Sequence, residues 1–313
     1  MENNLSIICT GSTGLVASHF KKYCQDQAIN FYGIDLHGEG ESIDITNYHQ
    51  LFNYVKKIKD LSRSNQDKTS KASLPDSSLI LFHFAAITLT GTNLTSSQID
   101  LTNRVNIDGT KNILKVCKQL SLPLVHISTD FVFSGASKAT PYLPSDKTQT
   151  DNTIYSQSKK TAEDLVLSSS QSQLISIIRI AFPYGNFSHD KKGLARKMID
   201  WMDNSQQVKL YTNQRICPTP ISYISTACFK VAHLISDQKL NSGQIFHVVG
   251  QPTTPFEFGS TIKKVFGKKA ELLPNLAQDT YTNLVLDTSQ TESLLNIKTN
   301  HHQSELEALK PFI

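Results

Sequence analysis

The chain has little of what marks the specialised classes of protein. Its five cysteines (Cys9, Cys24, Cys117, Cys217 and Cys228) show no paired metal-type spacing, and their odd number does not suit a disulfide framework. The apolar neighbours of most of them predict buried free thiols in a reducing compartment. No apolar run is long enough to span a bilayer, and Met1-Glu2-Asn3-Asn4 lacks the basic segment that opens an export signal. A cytoplasmic protein with no membrane partner is expected. Dense basic tracts are missing too. The richest, Lys56-Lys57-Ile58-Lys59, is broken by Asp60 and reads as a solvated helix face, so a net charge of +4 gives no reason to expect a nucleic-acid partner. His301-His302 has no further ligands beside it and reads as tail surface, so no metal is expected. No internal repeat is visible.

What is present is an alternating α/β pattern. A hydrophobic share of 39% over 313 residues can build a buried core in one large domain or two interlocked ones. Strands are predicted at 5–10, 31–36, 79–84, 124–128 and 174–180. Helices are predicted from 15 to about 26, at 51–61, 98–120 and 154–169. Strands and helices alternating in this way argue for a parallel sheet covered on both faces. The stretch 62–78 is polar and reads as a loop or disordered insertion. Beyond Pro183 the pattern loosens into a helix at 194–204, a short strand at 208–210 and a Pro-bracketed turn at 217–220. A helix at 222–235, a strand at 244–249 and a tail with one or two helices complete it.

Two constellations carry chemistry. Gly11-Ser12-Thr13-Gly14-Leu15-Val16-Ala17 lies at the first strand-to-helix junction, where backbone N–H groups and the helix N-terminus can receive a pyrophosphate. The spacing departs from the usual dinucleotide fingerprint, and an ordinary Gly-rich turn is the alternative. Asp35, about 20 residues on, is placed to take both hydroxyls of an adenosine ribose. No Arg or Lys follows it closely, which favours NAD over NADP. Asp44-Ile45 suits an adenine contact or a helix cap before Tyr48. The second constellation is Tyr155 and Lys159, four apart and therefore on one helix face. An ammonium near a phenol favours phenolate, so the pair can handle a proton at neutral pH. With the hydroxyl of Thr129, the set can polarise a carbonyl while delivering a proton.

Together these runs resemble the extended short-chain dehydrogenase/reductase family. The matching segments are Thr10 to Gly14, Asp44-Ile45, His83-Phe84-Ala85-Ala86, Val105 to Thr110, Ser128-Thr129-Asp130, Tyr155 to Lys159 and Arg179 to Gly185, in family order. Within it the chain looks most like the dTDP-4-dehydrorhamnose reductase group, through His126 to Gly135, Pro141-Tyr142 and Asn213 to Thr219. The resemblance implies a Rossmann-type doubly wound parallel sheet over 1–181, with a returning segment at about 221–249. A smaller substrate lobe would take 182–220 and 250–313. It implies reduction of a 4-keto nucleotide-sugar with NAD or NADP, and homodimers are frequent in the family. Tyr155 would protonate the sugar C4 oxygen, Lys159 would tune Tyr155 and hold the nicotinamide ribose, and Thr129 would hydrogen-bond the carbonyl oxygen. Ala85 and Ala86 would let the cofactor pass close to the backbone, and Asn106 would support the active-site helix or serve as a buried structural residue. Thr88, Phe182, Gln214 and Arg215 would meet the substrate.

Departures bear on the reaction and the sugar. Dehydratases of the family carry Glu where Phe131 stands, which argues against water elimination. Phe182-Pro183 replaces Trp-Val, Asn213 replaces Asp, and the polar insertion from about Ser62 is unusual. A nucleotide-sugar epimerase that retains its NAD and a non-catalytic dinucleotide-binding regulatory subunit are the alternatives. Core histidines with backbone partners are expected at His83 and His126. Arg179 reads as an ion-pair former or a cofactor contact.

Overall fold

All five residues of Ser6–Thr10 (β1) are buried, as a strand covered by helices on both faces requires. In the computed structural model the described residues are 5–37, 41–66, 78–91, 93–136, 141–151, 153–185, 188–276 and 283–312. After β1 come α1 (Leu15–Asp26), β2 (Asn30–Ile34), α2 (Tyr48–Gln66), β3 (Leu79–His83), α3 (Ser96–Asn103) and α4 (Thr110–Gln119). Then follow β4 (Leu124–Thr129), α5 (Ile154–Ser169), β5 (Ile175–Ile180), β6 (Pro183–Tyr184), α6 (Leu194–Asn204) and β7 (Gln207–Tyr211). The chain continues through β8 (Thr219–Pro220), α7 (Ile221–Ser236), β9 (Gln244–Val248), α8 (Pro255–Phe266), β10 (Glu271–Asn275), α9 (Ser289–Leu295) and α10 (His302–Glu307).

The central six-stranded parallel sheet has the order β2-β1-β3-β4-β5-β9. Two compact units are present, Met1–Ser128 with Thr150–Ile178 and Cys228–Ile245, and Thr129–Gln149 with Arg179–Ala227 and Phe246–Ile313. The core of the first holds Ile8, Ile34, Leu51, Leu81, Ile113 and Leu124, all at most 1% exposed. In α4 the buried Ile113, Leu114, Val116 and Cys117 recur at helical spacing and form the stripe that packs inward. The second unit has one core around Tyr184, Met198, Leu210 and Phe258 and another around Val132, Phe133, Cys217 and Leu286. It also carries two small parallel sheets, β10-β7 and β6-β8. All five cysteines are buried free thiols.

Four expectations are corrected. First, α2 runs on to Gln66, into the stretch expected to be a loop from 62. Leu51, Val55 and Ile58 anchor its face, and no Pro or Gly breaks the polar residues that follow. The remainder of that expected loop, 67–77, lies outside the described residues. Second, the helix expected over 98–120 is divided by a π-helical turn, Arg104–Gly109, between α3 and α4. The wider turn leaves the apolar spacing legible while changing which way its side chains face. Third, among the described residues the tail holds three α-helices and β10, where Pro274 obscures the strand. It is tolerated because β10 pairs only with β7. Fourth, His302 is half-buried, its Nε2 on the Gln251 carbonyl at 2.8 Å and its ring 5.1 Å from that of Phe258.

Candidate active site

In the sheet β1 lies between β2 and β3, so successive crossovers leave it in opposite directions and a crevice opens beyond its C-terminal end. Gly11 sits there at φ +68°, and a Cβ on it would stand 2.7 Å from the Ala85 backbone. Only glycine fits both conditions. The Gly14 N–H donates to the Gly11 carbonyl at 2.9 Å and closes the turn. Gly14 is also the N-cap of α1 and offers no side chain to its first turn, Leu15 and Val16 included. The partial positive charge of that helix end therefore faces the crevice without a protein anion on its first turn.

The flanking strands bring Asp35 and Ala85 to the loop. Asp35, just past β2, accepts at Oδ2 from the Thr13 N–H at 3.0 Å and the Thr13 hydroxyl at 2.7 Å, and at Oδ1 from the Leu36 N–H at 2.8 Å. The buried Ser12 packs against Gly33, where a Cβ would meet its Oγ at 2.6 Å. Ala85, just past β3, donates its N–H to Thr10 Oγ1 at 3.3 Å, and Ala86 follows half-buried. Asp44 is half-buried, its Oδ1 accepting from the Thr46 N–H. The cap of α2 is instead Asn47, whose Oδ1 accepts from the Gln50 N–H. Ile45 is buried against Gly109, where any Cβ would come within 2.7 Å of Ile45 Cδ1. Thr88 lies exposed on the loop after β3.

The buried stripe of α5 is unusual in being largely polar: Tyr155, Ser156, Ser158, Lys159 and Glu163 share it with Ala162 and Val166. Ser156, Ser158, Lys159 and Glu163 each have a hydrogen-bond partner. The Asn106 side chain, on the π-helical turn, accepts from the Ile87 N–H at 2.8 Å and donates to the Ile87 carbonyl at 3.0 Å and to Ser158 Oγ at 2.9 Å. Ser158 Oγ donates to the Tyr155 carbonyl at 2.8 Å, and Ser128 Oγ donates to Glu163 Oε2 at 2.6 Å. Lys159, 3% exposed, donates from Nζ to the Ile127 carbonyl at 2.7 Å and lies 3.4 Å from His126 Nε2. Burial lowers its ammonium to about 8, against the opposing attraction of Glu163. His83 bridges Thr10 Oγ1 at 2.7 Å and Thr110 Oγ1 at 3.0 Å, and burial lowers it to about 3, so it is neutral.

In the second unit Thr129 closes β4 and caps a 3₁₀ turn, Asp130–Val132. Its Oγ1 accepts from the Phe131 N–H at 3.3 Å and donates to Asp130 Oδ1 at 3.0 Å. Phe182 has φ +41°, a strained value for a bulky side chain and of the kind that collects at functional sites. Its carbonyl accepts from the Thr219 N–H, and its ring lies 5.7 Å from that of Phe131. Gln214 is half-buried, and Arg215 is exposed on a segment that pairs with Asn283. Arg179 is 1% exposed. It donates to His247 Nε2 at 3.0 Å and sits over the Phe133 ring at 4.9 Å, a buried structural setting.

Sequence reasoning gave no role to Asp130, Ser158 or Gly250. Asp130 was within reach as an acid next to an apolar strand end. Ser158 lies between Tyr155 and Lys159 and had no signal of its own. Gly250 is required because a Cβ there would stand 1.9 Å from the Pro218 carbonyl oxygen, a contact invisible without the fold.

The family model of the RmlD substrate binding domain matches residues 5–310. A dTDP-4-dehydrorhamnose reductase of Sinorhizobium fredii is 30% identical over 147 residues, 47% of this chain and 47% of that protein. The chain thus spans about half the length of that curated relative. The methionine adenosyltransferase 2 subunit beta of Pongo abelii is 24% identical over 231 residues, 71% of this chain and 67% of that protein. Among solved structures, dTDP-4-dehydrorhamnose reductase from Bacillus anthracis in complex with NADP superposes with a TM-score of 0.78 at 20% identity, covering 99% of both chains.

Proposed function

The chain belongs to the RmlD substrate binding domain family, and we propose that it is an NAD(P)H-dependent reductase of a 4-keto nucleotide-sugar. The observation that carries this reading is the polar buried stripe of α5, with Tyr155 one turn before Lys159 and the Lys159 ammonium fixed on the Ile127 carbonyl. A buried cation is costly, and its retention one turn from a tyrosine points to proton chemistry.

The glycine cradle fits a dinucleotide: Gly11 has no room for a Cβ, and the end of α1 presents its dipole without a capping side chain. Gly11 to Val16 would hold the pyrophosphate, Asp35 the adenosine ribose, Asp44 and Ile45 the adenine, and Ala85 and Ala86 the passing chain. Asp35 already accepts three hydrogen bonds, yet a carboxylate has lone pairs for about four, which leaves room for a ribose hydroxyl. Its charge opposes a 2′-phosphate, which supports NAD over NADP. When bound, the reduced nicotinamide supplies a hydride. Tyr155 Oη gives a proton to the C4 oxygen of the sugar, Lys159 eases formation of the resulting phenolate, and the Thr129 hydroxyl hydrogen-bonds the same oxygen. Asn106 keeps α5 in place through Ser158. Residues 182–220 and 250–313 would hold the nucleotide-sugar, with Phe182, Gln214 and Arg215 as contacts.

The test is turnover of dTDP-4-dehydrorhamnose and its UDP- and GDP-linked counterparts with NADH or NADPH, followed by loss of reduced-nicotinamide absorbance. Tyr155→Phe is expected to abolish turnover while dinucleotide affinity, measured by calorimetry, stays within about twofold. Turnover without net consumption of reduced nicotinamide would refute reduction in favour of epimerisation. The likeness to methionine adenosyltransferase 2 subunit beta over 71% of the chain favours one second reading, a regulatory subunit. A stoichiometric partner on purification, with no keto-sugar turned over, would establish it.

A further inference from the structure

We propose that Asp130 is a positioning residue for Thr129: its carboxyl decides whether the one hydroxyl proton of Thr129 points inward to Asp130 or outward to a bound carbonyl oxygen. The inference rests on the role given above to Thr129, and the argument is one of proton counting.

A threonine hydroxyl has one proton and two lone pairs. One lone pair of Thr129 Oγ1 takes the Phe131 N–H, and the proton is spent on Asp130 Oδ1. In that arrangement Thr129 cannot donate to anything else. It becomes a donor toward a sugar oxygen only if Asp130 Oδ1 brings a proton of its own. Asp130 then donates to Thr129 Oγ1, and the threonine proton turns outward. No proton is gained or lost by the substrate in this step. The carboxylic proton is taken up from solvent as pH falls through the Asp130 titration and then stays on Asp130; the Thr129–Asp130 hydrogen bond reverses and a new one to the sugar oxygen forms.

The surroundings of Asp130 favour the neutral acid. It is 0% exposed, and its Oδ2 makes no hydrogen bond among the described residues. A buried carboxylate with so few donors is costly, whereas a neutral acid leaves only a weak acceptor unpaired. The next residues in the chain, Val132 and Phe133, enter a buried apolar cluster with Ala181, Cys217 and Val249. Among the described residues, a titratable side chain that interacts with Asp130 from another segment is Cys217, whose thiol burial pushes to about 12, so it brings no charge near neutrality. Arg215 acts on Cys217. The opposing influences on Asp130 are the Thr129 hydroxyl and the N–H groups of Asp130 and Phe131, and burial outweighs them, holding the carboxyl at about 7. The direction of the Thr129 hydroxyl therefore changes with pH in the neutral range.

The experiment has two arms. In the first, the pH dependence of kcat for dTDP-4-dehydrorhamnose reduction is compared between the wild type and Asp130→Asn. The wild type is expected to lose kcat about tenfold per pH unit above about 7, with KM little changed. Asn cannot ionise and can donate from Nδ2 to Thr129 Oγ1, so the variant is expected to keep the acidic-side kcat within a few-fold and to move that limb up to about 8, where Lys159 loses its charge. An unchanged limb in Asp130→Asn overturns the proposal. In the second arm, carboxyl ¹³C NMR of the intact protein follows the signal that Asp130→Asn deletes. Its midpoint is expected near 7 and higher still in Thr129→Val, which removes the donor. A midpoint near 4, or one that Thr129→Val does not move, overturns the proposal as well. Failure of every keto-sugar to turn over would refute the reductase reading, while the NMR arm still decides whether Asp130 and Thr129 are coupled.

Discussion

Replacing Lys159 with Met is expected to stabilise the fold while removing its proton chemistry. Lys159 is 3% exposed, and burial holds its ammonium at about 8 instead of the ordinary 10.5. With the native pKa below the unfolded one, the unfolded chain binds more protons between those two values. The cost of the buried charge is therefore present in full below about pH 8 and fades as pH rises toward 10.5. The gap corresponds to about 3 kcal/mol at pH 7, from ~1.4 kcal/mol per pH unit. Three losses offset it: the bonds from Nζ to the Ile127 carbonyl and to His126 Nε2, worth about 1 kcal/mol each, and the partner of buried Glu163. A methionine of similar length fills the space, so a net gain of up to about 1 kcal/mol is expected at pH 7. Urea unfolding at pH 7 and pH 10 measures it. The Lys159→Met midpoint should exceed that of the wild type at pH 7, and the difference should shrink at pH 10, where the wild-type amine is neutral when folded. A variant less stable at pH 7, or a difference that is flat with pH, would refute the claim that desolvation dominates at this lysine.

Three other outcomes follow from single contacts. Gly250→Ala places a methyl 1.9 Å from the Pro218 carbonyl oxygen, a backbone atom that cannot swing aside, so thermal or urea unfolding should show a loss of about 3 kcal/mol or more. Asn106→Ala strips three hydrogen bonds from Ile87 and Ser158 in a buried site, for a loss of about 3 kcal/mol, with kcat falling more than cofactor affinity. Asp35→Ser removes the carboxylate proposed to oppose a 2′-phosphate while keeping an acceptor for Thr13. The ratio of kcat/KM with NADPH to that with NADH should rise about tenfold or more, ~1.4 kcal/mol of discrimination, and an unchanged ratio would show that Asp35 does not face the ribose.

The sequence exposed what depends on local pattern. The helices at 154–169 and 194–204 end where their apolar spacing ends, and Gly11 to Gly14 announces a turn whose chemistry no other residue type supplies at Gly11. It hid what depends on contacts between distant segments. The π-helical turn at Arg104–Gly109 preserves the apolar spacing of an ordinary helix, so only the fold reveals that its Asn106 reaches back to Ile87 and across to Ser158. Gly250 looks like any loop glycine until the Pro218 carbonyl is seen against it. Lys159 and Asp130 make the same point for electrostatics. By residue type one is a cation and the other an anion at neutral pH, and each is nine-tenths or more buried. Burial moves both toward the neutral form, the lysine down to about 8 and the aspartic acid up to about 7. A motif can name the groups that handle a proton. How readily they give it up is set by the walls around them, and those walls are assembled from segments far apart in the chain.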